Sequence, residues 1–581
     1  MGDPDGRSRQ HGAPQGVPGL PGAPVTTTDT RHTAAAAAAG GGPAPGKTSV
    51  LRSGALMAAG SVVSRATGFV RSAVVVAALG VGMLGDGYAV ANTVPNIIYM
   101  LLVGGALNAV FVPELVRAAK EHEDGGEAYT DRLLTACTAA LVALTAVAVL
   151  AAPLIISTYT DYSGAQESTT VALARYCLPQ ILFYGLFTLL GQVLNARGRF
   201  GAMMWTPVLN NVVIIAVFGL FLYVSHDAAD GLTAAETRLL GLGTTAGIVV
   251  QALALVPSLR AARFRWRPRF DWRGSGLGRP LRNAGWLVML VLTNQIAYWV
   301  VTRLSTTAGV QADLAGLPGA GYAAYSNAYQ LWIVPQGIIT VSLVTALMPR
   351  MSAAANDGEL ATLRGDISYA LRSSAALVVP AAALFAALAP WVMGSVFEYG
   401  RTDAAGIEVM AGMLVAFAPG LVAFSAQYVL SRGFYALSDT RTPFFLNLVI
   451  AALNAGLSAA AYFLLSPRWA VTGMAAASSL AFLAGATVTA YTLSRRLGPR
   501  TGTRTERRAT AVRTHLRLLV ACVPGAAAAY AAARAAEGLG DFAAVGAGTA
   551  ALALVVVLLA GPLRLTEITD LLDSLRRKVG R

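Results

Sequence analysis

Three arginines stand where arginine is expensive. Arg65 and Arg71 lie in the run Ser64-Arg65-Ala66-Thr67-Gly68-Phe69-Val70-Arg71, and Arg303 lies in Trp299-Val-Val-Thr-Arg303-Leu-Ser305. Each falls inside a stretch otherwise apolar enough to cross a lipid bilayer. An arginine at the centre of such a helix costs about 2.5–3.5 kcal/mol. Its default place is therefore a polar cavity with a partner or a substrate; the plain alternative is a side chain that snorkels to the membrane surface. The planar guanidinium fork matches phosphate oxygens two at a time. A spacing of six sets Arg65 and Arg71 roughly 120° apart on a straight helix, and Gly68 between them permits a bend. The expectation is an anion-binding cavity formed by Arg65, Arg71 and Arg303. Asn92, Asn96, Asn108, Asn294, Gln295, Asn327 and Gln330 are polar residues suited to line it, or to join helices to one another. Pro95 and Pro335 are expected to break their spans, as happens near transport sites.

Other chemistries lack their residues. No zinc-helix motif, nucleophile elbow or catalytic dyad occurs, so the chain reads as a transporter rather than an enzyme, with no metal and no cofactor. Gly41-Gly-Pro-Ala-Pro-Gly46-Lys47-Thr48 fits a phosphate-loop pattern, but it follows no strand and contains two prolines, so the required context fails. Cys137, Cys177 and Cys522 have no metal or disulfide spacing and read as small packing residues.

The elements that would position these arginines follow from composition. Of the 581 residues 55% are hydrophobic and 13% charged, with mean hydropathy +0.57, against about 25% charged in soluble proteins. Continuous apolar runs of roughly 20 residues recur, the length of a membrane-spanning helix. Spans are expected near 55–80, 86–116, 131–158, 169–195, 203–224, 240–257, 284–308, 322–349, 366–390, 408–432, 442–465, 470–495, 513–535 and 541–562. The fold class is all-α integral membrane, with about fourteen transmembrane helices. Residues 1–50, rich in Gly, Ala, Pro and Thr, read as a disordered cytoplasmic tail, and no signal peptide is seen. An N-terminal lobe of six spans (51–260), a basic linker (261–283), a second six-span lobe (284–496), a basic loop (497–512), two last spans (513–563) and a C-terminal tail (564–581) complete the expected organisation.

Charge gives sidedness. Arg260 to Arg282, Arg495 to Arg517, Arg197, Arg199, Arg432, Arg441 and the C-terminal Arg576, Arg577, Lys578 and Arg581 fall on one side; the opposite loops carry Asp86, Asp161, Glu167, Asp313, Glu398 and Asp403. Both termini are therefore expected in the cytoplasm. The net charge of +14 belongs to this bias and to no nucleic-acid partner. The chain also matches itself at an offset of about 236–240: Pro207-Val-Leu-Asn-Asn211 against Pro443-Phe-Phe-Leu-Asn447, Pro179 against Pro419, and Pro113 against Pro349. Six spans per repeat is an even number, which predicts two lobes related by a parallel pseudo-twofold axis.

A set of motifs in order along residues 52–562 resembles the MurJ (MviN) family, the lipid II flippases of the multidrug/oligosaccharidyl-lipid/polysaccharide exporter superfamily. They are SRATGFVRS (64–72), Gly85-Asp86, VPN (94–96), GGALNAVFVPEL (104–115), LNARGRF (194–200), FEYG (397–400) and GFYALSDTRTP (433–443). The resemblance implies a V-shaped two-lobe transporter in the bacterial cytoplasmic membrane working by alternating access. Its cationic cavity would receive lipid II, a polyprenyl-pyrophosphate-linked cell-wall precursor, with a groove at spans thirteen and fourteen for the lipid tail. Membrane lipids and cell-wall synthesis proteins are the other implied partners. By position Arg65 and Arg71 match the family's first-span cavity arginines, and Asp86 its acidic residue at the start of the second span. The expected substrate-binding set is Arg65, Arg71, Arg303, Asp86, Asn96 and Gln330. Tyr99, Met100 and Gly104 stand where the family often has two arginines and an acid, and Gln330 and Ile333 where it often has an arginine and a glutamate. Arg303 is expected to compensate. A flippase for another lipid-linked glycan and a non-transporting scaffold for cell-wall synthesis are the alternatives. A cation-drug exporter would need a lone carboxylate deep in a span, and none is seen.

Overall fold

A computed structural model describes residues 47–101, 115, 117–118, 124, 126–199, 201–225, 231–271, 285–317, 319–498 and 511–579. Contacts group the chain into residues 1–50 and 51–581. Of the first group only the opening turn of α1 is described; Gly41 to Gly46 of the phosphate-loop-like run lie outside the described residues.

The described chain is helical. In order the helices are α1 (Lys47–Leu79), α2 (Met83–Leu101), α3 (Glu127–Leu150), α4 (Ala152–Tyr159), α5 (Gly164–Cys177), α6 (Gln180–Ala196), α7 (Gly201–Val224), α8 (Ala234–Leu253) and α9 (Val256–Ala261). Then come α10 (Gly285–Leu314), α11 (Tyr322–Trp332), a π-helical turn (Gln336–Thr340), α12 (Val341–Asn356), α13 (Leu360–Phe397), α14 (Ala404–Ala436), α15 (Arg441–Leu464) and α16 (Pro467–Arg496). The last three are α17 (Ala511–Ala536), α18 (Asp541–Ala560) and α19 (Thr566–Val579).

Among the described residues 12 segments are long and apolar enough to cross a membrane. The other two expected spans exist as the helices α2 and α10, each with part of its length outside the residues whose side chains are described. α10 is 30 residues long and carries Asn294, Gln295, Arg303, Ser305, Thr306 and Thr307. Pro153 at the start of α4 breaks the third span into α3 and α4.

Breaks in the eighth span have a local cause. Pro335 has no N–H to give the helical ladder, and the turn behind it widens to the π form. Pro95, by contrast, sits inside a continuous α2, and α1 passes Gly68 without interruption.

Two aromatic-centred cores hold the helices. In the C-terminal half the fully buried Trp332 meets Phe417, Phe424 and Phe482 at 5.4, 5.5 and 6.0 Å between ring centres. In the N-terminal half Tyr88 lies edge-on to Phe218 at 5.1 Å and shares a hydrogen bond of 2.9 Å with Thr244. Lipid supplies little drive for helices to associate, so close backbone approach and interhelical hydrogen bonds carry the load. α14 and α16 use both: the Ser479 hydroxyl donates to the Ala416 carbonyl at 2.7 Å and accepts from the Gly420 N–H at 3.2 Å.

The linker after α9 is strapped to the N-terminal half. Arg197 donates to the Ala262 carbonyl at 2.9 Å and stacks on Phe264. The Arg267 N–H donates to Asp131, and the Arg269 N–H and Trp266 indole donate to Thr135. Arg132 binds Asp271 at 2.6 Å and holds that carboxyl below the usual carboxylate range. These basic loops gather at one end of the bundle, the basic end. Residues 77–86, 157–161, 309–317, 319–323 and 398–406 gather at the other, the acidic end.

A Cβ on Gly420 would come within 2.9 Å of the Ser479 Cα. Gly420→Val is expected to lower stability by about 1–3 kcal/mol, the usual cost of overpacking, read as a reduced midpoint of thermal unfolding in detergent. An unchanged midpoint would mean that the α14–α16 contact does not depend on the glycine.

Candidate functional site

α1 carries two of the expected arginines and is held from its own half. Asn211 of α7 donates to the Ser64 carbonyl at 3.1 Å and to the Thr67 hydroxyl at 2.9 Å. A Cβ at Gly68 would meet the same amide nitrogen at an ordinary contact distance of 3.7 Å, so this approach does not depend on the glycine. α15 treats α10 alike: Asn447 donates to Asn294 at 2.9 Å.

Against the other half, α1 runs antiparallel to the eighth span in register. The Ser72 hydroxyl donates to the Gln330 amide oxygen at 2.7 Å. One helical stretch further, Arg65 lies against Gly337 of the π turn, where a Cβ would stand 3.1 Å from its Nη1. At 1.5 Å rise per residue, Arg71 lies about 12 Å and Arg65 about 21 Å from the end of α1, Gln330 about 12 Å below the start of α11, and Asn96 about 15 Å below Asp86. Arg71, Gln330 and Asn96 therefore share a depth, with Arg65 below them. Arg71 is half-buried and Arg65 exposed. Among the described residues neither guanidinium joins an ion pair or a hydrogen bond. Among the described residues Asn96 donates to the Asn92 carbonyl in its own helix, at 2.9 Å.

Asp86 is elsewhere and differently employed. Its side chain is 1% exposed, and its carboxylate accepts the Ala323 N–H at 2.6 Å. It sits at the N-terminus of α11, where unpaired N–H groups and the positive end of the helix dipole favour a carboxylate. Gly321 and Gly309 make room for it: a Cβ on the first would collide with the carboxylate and one on the second would lie 2.8 Å away. Two turns deeper Thr93 and Tyr298 both hydrogen-bond the Tyr322 hydroxyl. Beside this, the Arg401 N–H donates to the Ala77 carbonyl at 2.9 Å. Asp86 is thus a cap that one half places on the other at the acidic end.

Arg303 is placed differently from the other two arginines. It is ion-paired with Asp161, whereas Arg65 and Arg71 join no ion pair among the described residues. Asn327 donates to the Ala323 carbonyl and Asn294 holds Asn447. Asn108, Pro113 and Gly104 lie outside the described residues, as do the side chains of Tyr99 and Met100. No cluster among the described residues could hold a metal ion.

Four residues of this arrangement are not marked by sequence pattern as functional: Asn211, Gly321, Gly337 and Asp161. Asn211 had a signal, being the shared end of the internal match with Asn447. The glycines act by what they leave room for, which only packing reveals.

A family model described as "Lipid II flippase MurJ" matches residues 75–544. A probable lipid II flippase MurJ of Rhizobium tropici is 27% identical over 438 residues, covering 74% of this chain and 79% of its own. The lipid II flippase MurJ of Burkholderia cenocepacia is 27% identical over 389 residues, covering 66% and 72%. Among solved structures, a lipid II flippase MurJ in an inward closed conformation superposes with a TM-score of 0.69 at 17% identity, over 89% of this chain and 99% of that one. An inward-facing multidrug transporter of the MATE family in the MOP superfamily gives 0.60 at 16% identity, over 75% and 94%. At those identities the two structures speak of the fold.

The cap at α11 makes a prediction. With its three native cysteines replaced and a reporter Cys at Thr93, 5% exposed, Asp86→Ala should raise maleimide labelling about tenfold, since stranding buried donors costs about 1–3 kcal/mol. Equal rates with and without Asp86 would show that the cap does not hold the acidic end shut.

Proposed function

This chain belongs to the MurJ family of lipid II flippases, and on that premise we propose that it carries lipid II across the cytoplasmic membrane through a cavity whose cations are Arg65 and Arg71. The observation that carries the reading is the state of those two residues. They are intramembrane arginines on one helix, Arg65 lying against Gly337 of the other half, and neither has a counter-ion among the described residues. Such a charge is retained where it meets an anion in use, and a pyrophosphate offers the two-oxygen geometry that a guanidinium binds best.

The basic end of the bundle faces the cytoplasm by the bias of its loops, with both termini on that side. The acidic end then faces outward, and its inter-half caps hold it closed. Lipid II enters from the inner leaflet with its pyrophosphate toward Arg71 and Arg65, while Gln330 and Asn96 at the same depth offer hydrogen bonds to the headgroup. Rocking of the halves breaks the caps, opens the acidic end and releases the headgroup outside. No bond in the substrate is made or broken. A potential negative inside favours outward movement of an anion by about 2.3 kcal/mol per charge per 100 mV.

The test is to express the protein in a flippase-depleted bacterium and measure lipid II exposed on the outer face. Wild type should restore exposure. Arg71→Ala should lose about ten- to hundredfold of it, the equivalent of the roughly 1.5–3 kcal/mol in hydrogen bonds to a charged group, and Arg71→Lys should lose less. Well-expressed wild type that leaves lipid II unexposed would overturn the substrate; full activity of Arg71→Ala would overturn the cavity.

A further inference from the structure

One face of α10 is committed to four of five consecutive residues of the other half. Trp299, Arg303, Thr306 and Thr307 are spaced i, i+4, i+7 and i+8, which places them on a single helical stripe. Their partners are Ser157 to Asp161, where α4 ends. The Trp299 indole donates to the Thr158 carbonyl at 3.1 Å, Arg303 Nη1 to the Ser157 carbonyl at 3.4 Å, and the Thr306 hydroxyl to the Tyr159 carbonyl at 2.7 Å. Arg303 Nη2 is ion-paired with Asp161, and the Thr307 hydroxyl donates to the same carboxylate at 2.8 Å.

The last four carbonyls of a helix have no partner inside it. In α4 the Ile156 carbonyl is taken by the Thr160 N–H. The remaining three, on Ser157, Thr158 and Tyr159, are the three that α10 fills. Arg303 also sets a positive charge at the negative end of the α4 dipole. This is the mirror of the Asp86 contact. There, a carboxylate of the N-terminal half caps the N-terminus of a helix in the C-terminal half; here, an arginine of the C-terminal half caps the C-terminus of a helix in the N-terminal half.

We propose that Arg303 and Asp161 are the keystone of a conformational latch, in which α10 caps α4 across the two halves and sets how readily the acidic end opens during transport. Arg303 is a positioning residue and touches no substrate. The ion pair is half-exposed, with side-chain exposures of 28% and 50%, and such a pair contributes little by itself. Its part is to hold the stripe in register, so that Trp299 and Thr306 reach their carbonyls. When the halves part, all five bonds break together, and the freed carbonyls and Asp161 are left at the mouth, where water can replace α10. That makes the latch reversible.

The inference rests on the transport reading only for its consequence; the latch itself is a statement about conformation. It is tested on the full chain in lipid nanodiscs by amide hydrogen exchange with mass spectrometry. Arg303→Gln and Asp161→Asn should each speed exchange about tenfold in peptides covering 157–163 and 303–310, while peptides over 350–366 at the basic end keep their rates, as local opening requires. Arg303→Lys, which keeps a donor and a positive charge at the end of α4, should keep more of the protection than Arg303→Gln. Lipid II exposure in cells should fall in Arg303→Gln and Asp161→Asn and fall less in Arg303→Lys. Unchanged exchange at 157–163 in both Arg303→Gln and Asp161→Asn would overturn the latch, as would acceleration spread evenly over the chain or an Arg303→Lys no better protected than Arg303→Gln. A local exchange response in a protein that exposes no lipid II even as wild type would leave the latch standing and remove the lipid II reading instead.

Discussion

Helix ends govern this molecule. In a bilayer there is no water to satisfy the free N–H groups at a helix start or the free carbonyls at its end, and a bundle with interrupted spans has many such ends. Here two of them are satisfied by the opposite half. The start of α11 is held by Asp86 and the end of α4 by α10. The backbone's demand for partners thus becomes the force that closes the acidic end. Alternating access needs contacts that are worth making and can be unmade. Polar caps at a bundle mouth meet both conditions, because on opening the same groups can be taken over by water. A closed apolar seam would offer nothing comparable in exchange.

Depth separates the two kinds of charge. Asp86 and Arg303 are close to the acidic end, engaged, and serve the closure. Arg65 and Arg71 are deeper and unengaged among the described residues. The α1 helix that bears them is fixed on one side by Asn211, which commits its amide to the Ser64 carbonyl and Thr67, and is matched on the other to the eighth span through Ser72–Gln330 and Arg65–Gly337. The contact with the eighth span is therefore made through one hydrogen bond and one glycine gap. The gap is at the π turn, where Pro335 has already cost the helix a donor. A cation resting beside a loosened turn is readily recruited elsewhere, which suits Arg65 to a binding role that is exercised in only part of a cycle.

Much of this was legible in the sequence, and the limits have physical reasons. Membrane helices were legible because length and apolar continuity are local properties, and twelve of the expected spans meet that measure. The importance of Arg65 and Arg71 was legible because arginine is costly in lipid whatever surrounds it. Asp86 stands out in the sequence through the family resemblance, as the acidic residue at the start of the second span. That it caps α11 depends on where α11 starts in the fold. The bend expected at Gly68 is not taken, and α1 runs on as one helix. Arg303 resembles a cavity cation because its partner, Asp161, is remote in sequence and lies in a loop that carries no motif. Pairing of that sort is a property of the fold.

α10 is the element in which polarity and function meet. It has the length of a span, and the polar residues along it have partners: Asn294 with Asn447, Arg303 and Thr307 with Asp161, Thr306 with the Tyr159 carbonyl. A helix facing lipid on all sides could not carry them. A helix lodged between two halves can, provided each polar group finds a partner in the closed state and water in the open one. Departures from the local rule mark the places where a structure must do more than be stable. The polarity of α10 is accordingly the trace, in the sequence, of a helix whose partners must change.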